Sequence, residues 1–125
     1  MRGRKLVTRM RTLEIPEEQW IQYFNDFSRQ HVGWNATIEA LSQETGPQRI
    51  ADGLAFQGIS FDASGSRPCT INVGAGDDVR ANVSHTVDLP LHIRRADDER
   101  SGEVTIEIEP ARGPATLVHL HQWSH

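Results

Sequence analysis

The sequence predicts an α+β fold in which one N-terminal amphipathic helix packs on a curved, mainly antiparallel sheet of about six strands. Three observations carry this expectation. Aromatic residues after Pro16 recur at helical spacing, and from Trp34 onward short runs alternate apolar and polar residues between turn signals. The alternation also changes phase at Gly58, inside what otherwise reads as one long strand.

The helix is expected to begin near Pro16, because proline at a first helical turn forfeits an N–H that has no partner there anyway. Glu17 and Glu18 suit the positive end of the helix dipole. Trp20, Tyr23, Phe24, Phe27 and His31 then gather on one face, while Gln19, Gln22, Asn25, Asp26 and Arg29 occupy the other side. Gly33 supplies the stop just past the C-terminus. An aromatic stripe of this kind is the covering face of a core.

The first strand is expected over residues 34–41, followed by a turn in which Gly46-Pro47 breaks regular structure. Between Ile50 and Asp62 the apolar residues pass from even positions (Leu54, Phe56) to odd ones (Ile59, Phe61). A bulge or bend at Gly58 keeps both sets inward. Short strands follow over 69–73 and over 83–94, where Val83, His85, Val87 and Leu89 share one side, Pro90 interrupts, and Leu91 and Ile93 continue in phase. Proline is best accommodated there at an edge or a bulge. The last hairpin alternates most cleanly: Val104, Ile106 and Ile108 face inward, with Thr116, Val118 and Leu120 opposite them. Leu117, His119 and His121 then share the outer face. The patterning is the same for an open curved sheet and a partly closed barrel, so both stay open.

A chain of 125 residues fits one domain able to bury about two-thirds of its unfolded surface. Cys69 is the only cysteine, so no intramolecular disulfide forms and the expected setting is the cytoplasm. No apolar run reaches the length of a membrane span or a signal peptide. Charge is uneven: Arg2, Arg4, Lys5, Arg9 and Arg11 are five of the 13 basic residues, and the first eleven positions hold no acid. The other eight basic residues face all 17 acids, a net charge of −9 for the body. The expected organisation is a flexible basic arm over residues 1–11 and a single α+β domain over 12–125. A translation start at Met10 is a second reading of the same feature. An acidic body disfavours nucleic acid, whose phosphates need clustered cations, except through that arm.

Several stretches resemble a family of small bacterial proteins built on a domain of unknown function. They are Ile15-Pro16-Glu17-Glu18-Gln19-Trp20, Phe24-Asn25-Asp26-Phe27-Ser28, Gly58-Ile59, the surroundings of His85 and the last hairpin. The likeness covers nearly everything after Met10. It implies a bacterial source and no activity, cofactor or site.

Six histidines are the first place to look for chemistry. His119 and His121 stand two apart on a strand and project from one face, and His85 from another strand is the candidate third metal ligand. The plainer account is polar residues on the outer face of a hairpin. Cys69 with His85 as nucleophile and base lacks a third group to orient them, so a small apolar cysteine is the simpler reading. Gly74-Ala75-Gly76-Asp77-Asp78 lacks the helix and lysine of a phosphate cradle and the oxygen ligands of a calcium loop, and reads as a turn. Asp97-Asp98-Glu99 reads as a solvated loop beside an acidic face formed by Glu103, Glu107 and Glu109. No cofactor is expected. The leading functional expectation is a non-enzymatic protein that binds a protein partner through an open sheet face or strand edge. The alternatives are a metal- or ligand-binding enzyme using His85, His119 and His121, and nucleic-acid contact through the arm.

Overall fold

A computed structural model describes residues 10–63, 70–76 and 82–123. The basic residues before Met10, Cys69, Asp77, Asp78 and His125 lie outside the described residues. One helix packs on a single sheet, as the patterning predicts, but the sheet has eight strands rather than about six. In chain order these are β1 (Met10–Ile15), helix α1 (Trp20–His31), β2 (Asn35–Ser42), β3 (Gly46–Asp62), β4 (Thr70–Ala75), β5 (Val83–Asp88), β6 (Pro90–Asp98), β7 (Val104–Pro110) and β8 (Ala115–His121). The extra strands have identifiable causes. In β1 only Leu13 and Ile15 continue an apolar phase that Arg11 interrupts, and the run 83–94 is two strands that separate at Leu89.

All neighbours are antiparallel, in the order β1-β6-β7-β8-β2-β3-β4-β5. Strands β5 and β6 are consecutive in sequence yet stand six places apart in that order. Leu89 alone separates them, with φ +52°, a left-handed conformation costly for a leucine. It is exposed rather than facing inward as the alternation predicts, because the chain turns a corner there. Pro90 enters β6 at a bulge, as expected, and that register shift leaves Pro90 buried and turns Leu91 outward. The sheet is strongly curled without closing.

Long strand β3 carries much of the curl. Its pairing with β4 slips between Phe56 and Gly58, so Phe56 and Ile59 are both buried despite opposite parity. The phase change in the sequence is this bulge. Strand β3 also begins earlier than expected, at Gly46, because Ser42–Gly46 and Leu41–Pro47 pair directly across a tight turn.

Helix α1 fills the concave side. A 3-10 turn over Glu17–Gln19 follows Pro16, as its proline and acids predict. Trp20, Phe24 and Phe27 are almost fully buried, each stabilising by about 1.5–3 kcal/mol through removal from water. Trp20 meets Phe61 edge-on at 5.0 Å and its Nε1–H donates to the Ile15 carbonyl at 2.9 Å. Phe27 meets Phe56 edge-on at 6.0 Å. The docking is fixed by Ser28, whose Oγ accepts from the Ile59 N–H at 2.9 Å and donates to the Ile59 carbonyl at 3.1 Å, at the bulge itself. Past the helix, Gly33 adopts φ +88° and its N–H donates to the Phe56 carbonyl at 2.8 Å.

Ser28→Ala removes both bonds to Ile59 while keeping the helix. It is expected to cost about 1–3 kcal/mol in urea unfolding, the penalty for leaving partly buried backbone groups unpaired. A loss indistinguishable from zero would show that packing alone docks the helix.

Candidate functional site

The sequence singles out His85, His119 and His121, and the structure separates them. Along β8 burial alternates strictly, so Thr116, Val118 and Leu120 face the core while Leu117, His119 and His121 face outward, as predicted. His85 lies on the core side: its Nε2 shares a 2.9 Å hydrogen bond with Thr116 Oγ1, and Thr116 is 2% exposed. The sheet therefore stands between His85 and the other two. Among the described residues no group of three His, Cys, Asp or Glu side chains has the arrangement of a metal site.

His119 belongs to a cross-strand network on the convex face. Its Nε2 lies within hydrogen-bond distance of Glu39 Oε1 at 3.2 Å, and its Nδ1 shares a hydrogen bond with Thr105 Oγ1 at 3.1 Å. Glu103 stands 3.8 Å from that Nδ1, and Arg49 stands 3.7 Å from Glu39. A second network joins β1, β6 and β7. His92 Nδ1–H donates to Glu14 at 2.7 Å and holds its carboxyl below the usual range. Arg94 donates to Glu109 at 2.9 Å and to Glu107 at 3.4 Å, and those contacts raise its own pKa. On the acidic face read from Glu103, Glu107 and Glu109, the last two thus share the Arg94 guanidinium. That face lies on β7, an inner strand, so its carboxylates tie neighbours together rather than guard an edge. His121 is exposed, with Nδ1–H donating to the Gln122 carbonyl.

The more site-like feature lies where α1 leaves the β1 end of the sheet uncovered. A cavity of about 560 Å³ opens there, with Leu13, Tyr23, Arg95 and Asp97 in its wall, and Asp98 and Glu103 from the two ends of the β6–β7 turn at its rim. Arg95 organises it. Its Nε and Nη2 donate to the two Asp97 carboxylate oxygens at 2.7 and 3.1 Å, its Nη1 donates to Tyr23 Oη at 3.1 Å, and its guanidinium lies 5.5 Å above the Phe27 ring. Burial disfavours the charge on Arg95, but Asp97 and Tyr23 outweigh it and the pKa rises. Asp98 accepts from the Arg100 backbone N–H at 3.0 Å, which holds its carboxyl below the ordinary value.

Sequence reasoning missed this group because Asp97 was read with the loop that follows it. The available signal was phase: Ile93 faces the core, so Arg95 and Asp97 lie on the same side, and a paired cation and anion continuing an apolar phase mark a polar rim of the core. Leu13 was missed with its whole strand. The arm expected over residues 1–11 ends inside that strand, since Met10 and Arg11 pair with Asp98 and Asp97. No helix among the described residues is long and apolar enough to cross a membrane.

Two imidazoles face the core side, His31 buried and His85 partly buried. His31 is 5% exposed, its Nδ1–H donates to the Phe27 carbonyl at 2.8 Å, and it stacks on the Phe27 ring at 4.1 Å. Burial pushes its pKa down, and burial does the same to His85. The unfolded chain therefore binds more protons than the fold as pH drops through about 6.5. The stability contributed by the neutral rings is complete above that value and is lost progressively below it. Urea titrations at about pH 7.5 and about pH 5 are expected to show the loss. His85→Gln keeps a nitrogen for Thr116 and has no titration, so it is expected to flatten the slope. An unchanged slope in that variant would place the titration elsewhere. Glu14 and Asp98 act in a separate, lower window, since their depressed carboxyls lose their contribution as pH falls below about 4.5 for Glu14 and about 3.8 for Asp98.

No curated protein and no solved structure matches the chain. A family model does match it, over residues 11–125, which takes in every described strand and the helix, with Met10 alone left out at the start of β1. The chain belongs to that family, a family of unknown function designated DUF5335.

Proposed function

We propose that this is a non-enzymatic protein of a bacterial cytoplasm that acts by binding another protein through the free edge of β1. One observation carries the reading: among the described residues β1 pairs only with β6, and Leu13 on that strand is 61% exposed beside an open cavity. An unpaired strand edge is a template for a further strand, whose backbone supplies affinity and whose alternate side chains supply specificity. Strand Met10–Ile15 contains no lysine or proline of the kind that blunts such edges. The other edge, β5, is occupied differently, because His85 ties it to Thr116 across the curl.

A binding role also accounts for the polar side chains. Glu14 with His92, Arg94 with Glu107 and Glu109, and Glu39 with His119 are committed to cross-strand pairs on a convex surface. The cytoplasmic setting is supported by the single cysteine, and the bacterial source by the residue pattern around Pro16 and Phe24.

Leu13→Lys tests the reading, since an exposed position tolerates the change while a charge at the edge opposes strand addition. With the full chain as bait in native-host lysate, the wild type is expected to retain a partner that Leu13→Lys loses, at equal melting temperature. A partner retained equally by both forms would contradict the proposal.

A further inference from the structure

We infer that His85 is a pH-operated latch: its neutral ring seats the β5 edge against the opposite half of the sheet, and a proton on that ring releases the strand. This goes beyond the β1 reading and does not depend on it. Among the described residues β5 pairs with β4 alone, so no strand holds its outer side. A hold comes instead across the curl, where His85 Nε2 shares a 2.9 Å hydrogen bond with Oγ1 of the buried Thr116. The hinge is Leu89, the exposed residue between β5 and β6, whose φ of +52° is costly for a leucine. A strained hinge favours release, and the latch opposes it.

The hydrogen bond itself tolerates a proton, because a hydroxyl can accept from an imidazolium N–H as well as donate to a neutral ring. The seated position disfavours the buried charge. The ring shares a cavity of about 170 Å³ with Ala40 of β2, Thr116 of β8 and Pro110 of β7, while Val73 of β4 and Ile59 of β3 stand in register with it. These neighbours carry no charge. Asp88 and Arg112 also border the cavity, and neither offsets a cation there. Asp88 is exposed and stands at the opposite parity to His85 on β5, and Arg112, in the β7–β8 turn, repels a cation. Glu39 of β2 and Glu107 and Glu109 of β7 lie on the convex face, tied to His119 and to Arg94. Burial is accordingly the cause that lowers the His85 pKa.

Once released, the ring takes up its proton near the ordinary value of about 6.5, so the open population rises as pH falls through that value. At about pH 5 the rise is bounded at about thirtyfold, which is the proton binding of a free imidazole at that pH. Release gives the sheet a second open edge.

The test is native-state amide hydrogen exchange on the full chain, with protection corrected for the pH dependence of the exchange chemistry. Between about pH 7.5 and about pH 5, the β5 amides bonded to β4 are expected to lose about tenfold more protection than those of β7. In His85→Gln, which keeps a hydrogen-bonding side chain and cannot titrate, that difference is expected to vanish. Thr116→Val keeps the core's shape and the titrating ring but removes the latch's partner, and is expected to lower β5 protection already at about pH 7.5. Equal losses on β5 and β7 in the wild type would overturn the inference, as would a difference that persists in His85→Gln. Undiminished β5 protection in Thr116→Val would overturn it as well.

Discussion

The single residue between β5 and β6 is the constraint from which the rest of the architecture follows. Six strand spacings separate these neighbours in sequence, about 29 Å across a flat sheet, whereas Asp88 to Pro90 spans at most about 7 Å of chain. The sheet therefore has to curl until its two halves meet. The meeting is visible in two contacts: the Ala111 N–H, just past β7, donates to the Leu89 carbonyl at 2.9 Å, and His85 reaches Thr116 four places away in the strand order. A curled sheet leaves a trough, and the aromatic face of α1 fills it. The left-handed backbone of Leu89 is the local cost of this arrangement, offset by the large side chains it brings together.

Much of this was legible in the residues. Helical spacing from Trp20 to His31, the stop at Gly33 and the parity of the last hairpin all match the structure, since each is a local pattern read against a fixed period. The bulge at Gly58 was legible for the same reason: a phase change in an apolar pattern has few structural solutions. The corner at Leu89 was not. Val83, His85, Val87 and Leu89 keep perfect alternation up to the point where the chain leaves one end of the sheet for the other, and alternation carries no information about which strand comes next. Strand β1 was invisible for a different reason, as its pairing with β6 rather than an apolar pattern defines it.

The candidate site repeats that division. Placement of His119 and His121 on the outer face followed from period two alone. Where His85 stood relative to them depended on the curl, which turns it toward Thr116 on the core side. The Arg95–Asp97 pair was hidden because charged residues near a turn read as solvated, whereas here the pair lies against Tyr23 and the Phe27 ring. Residues on the convex face spend their charges on one another, and the concave face is packed with side chains. Among the described residues, the margin beside Leu13 is where β1 has a strand neighbour on one side alone.

The same curl treats the two ends of the sheet unequally. It seats β5 against the opposite half and leaves β1 open, and that asymmetry is the basis of both the fold and its proposed use. Amide hydrogen exchange on the full chain tests it most directly, because exchange reports how tightly each strand is held. The slowest amides of Val83–Asp88 are predicted to approach the protection of the central strands, while Arg11 to Leu13 exchange much faster. Equal, rapid exchange at both edges would contradict the account.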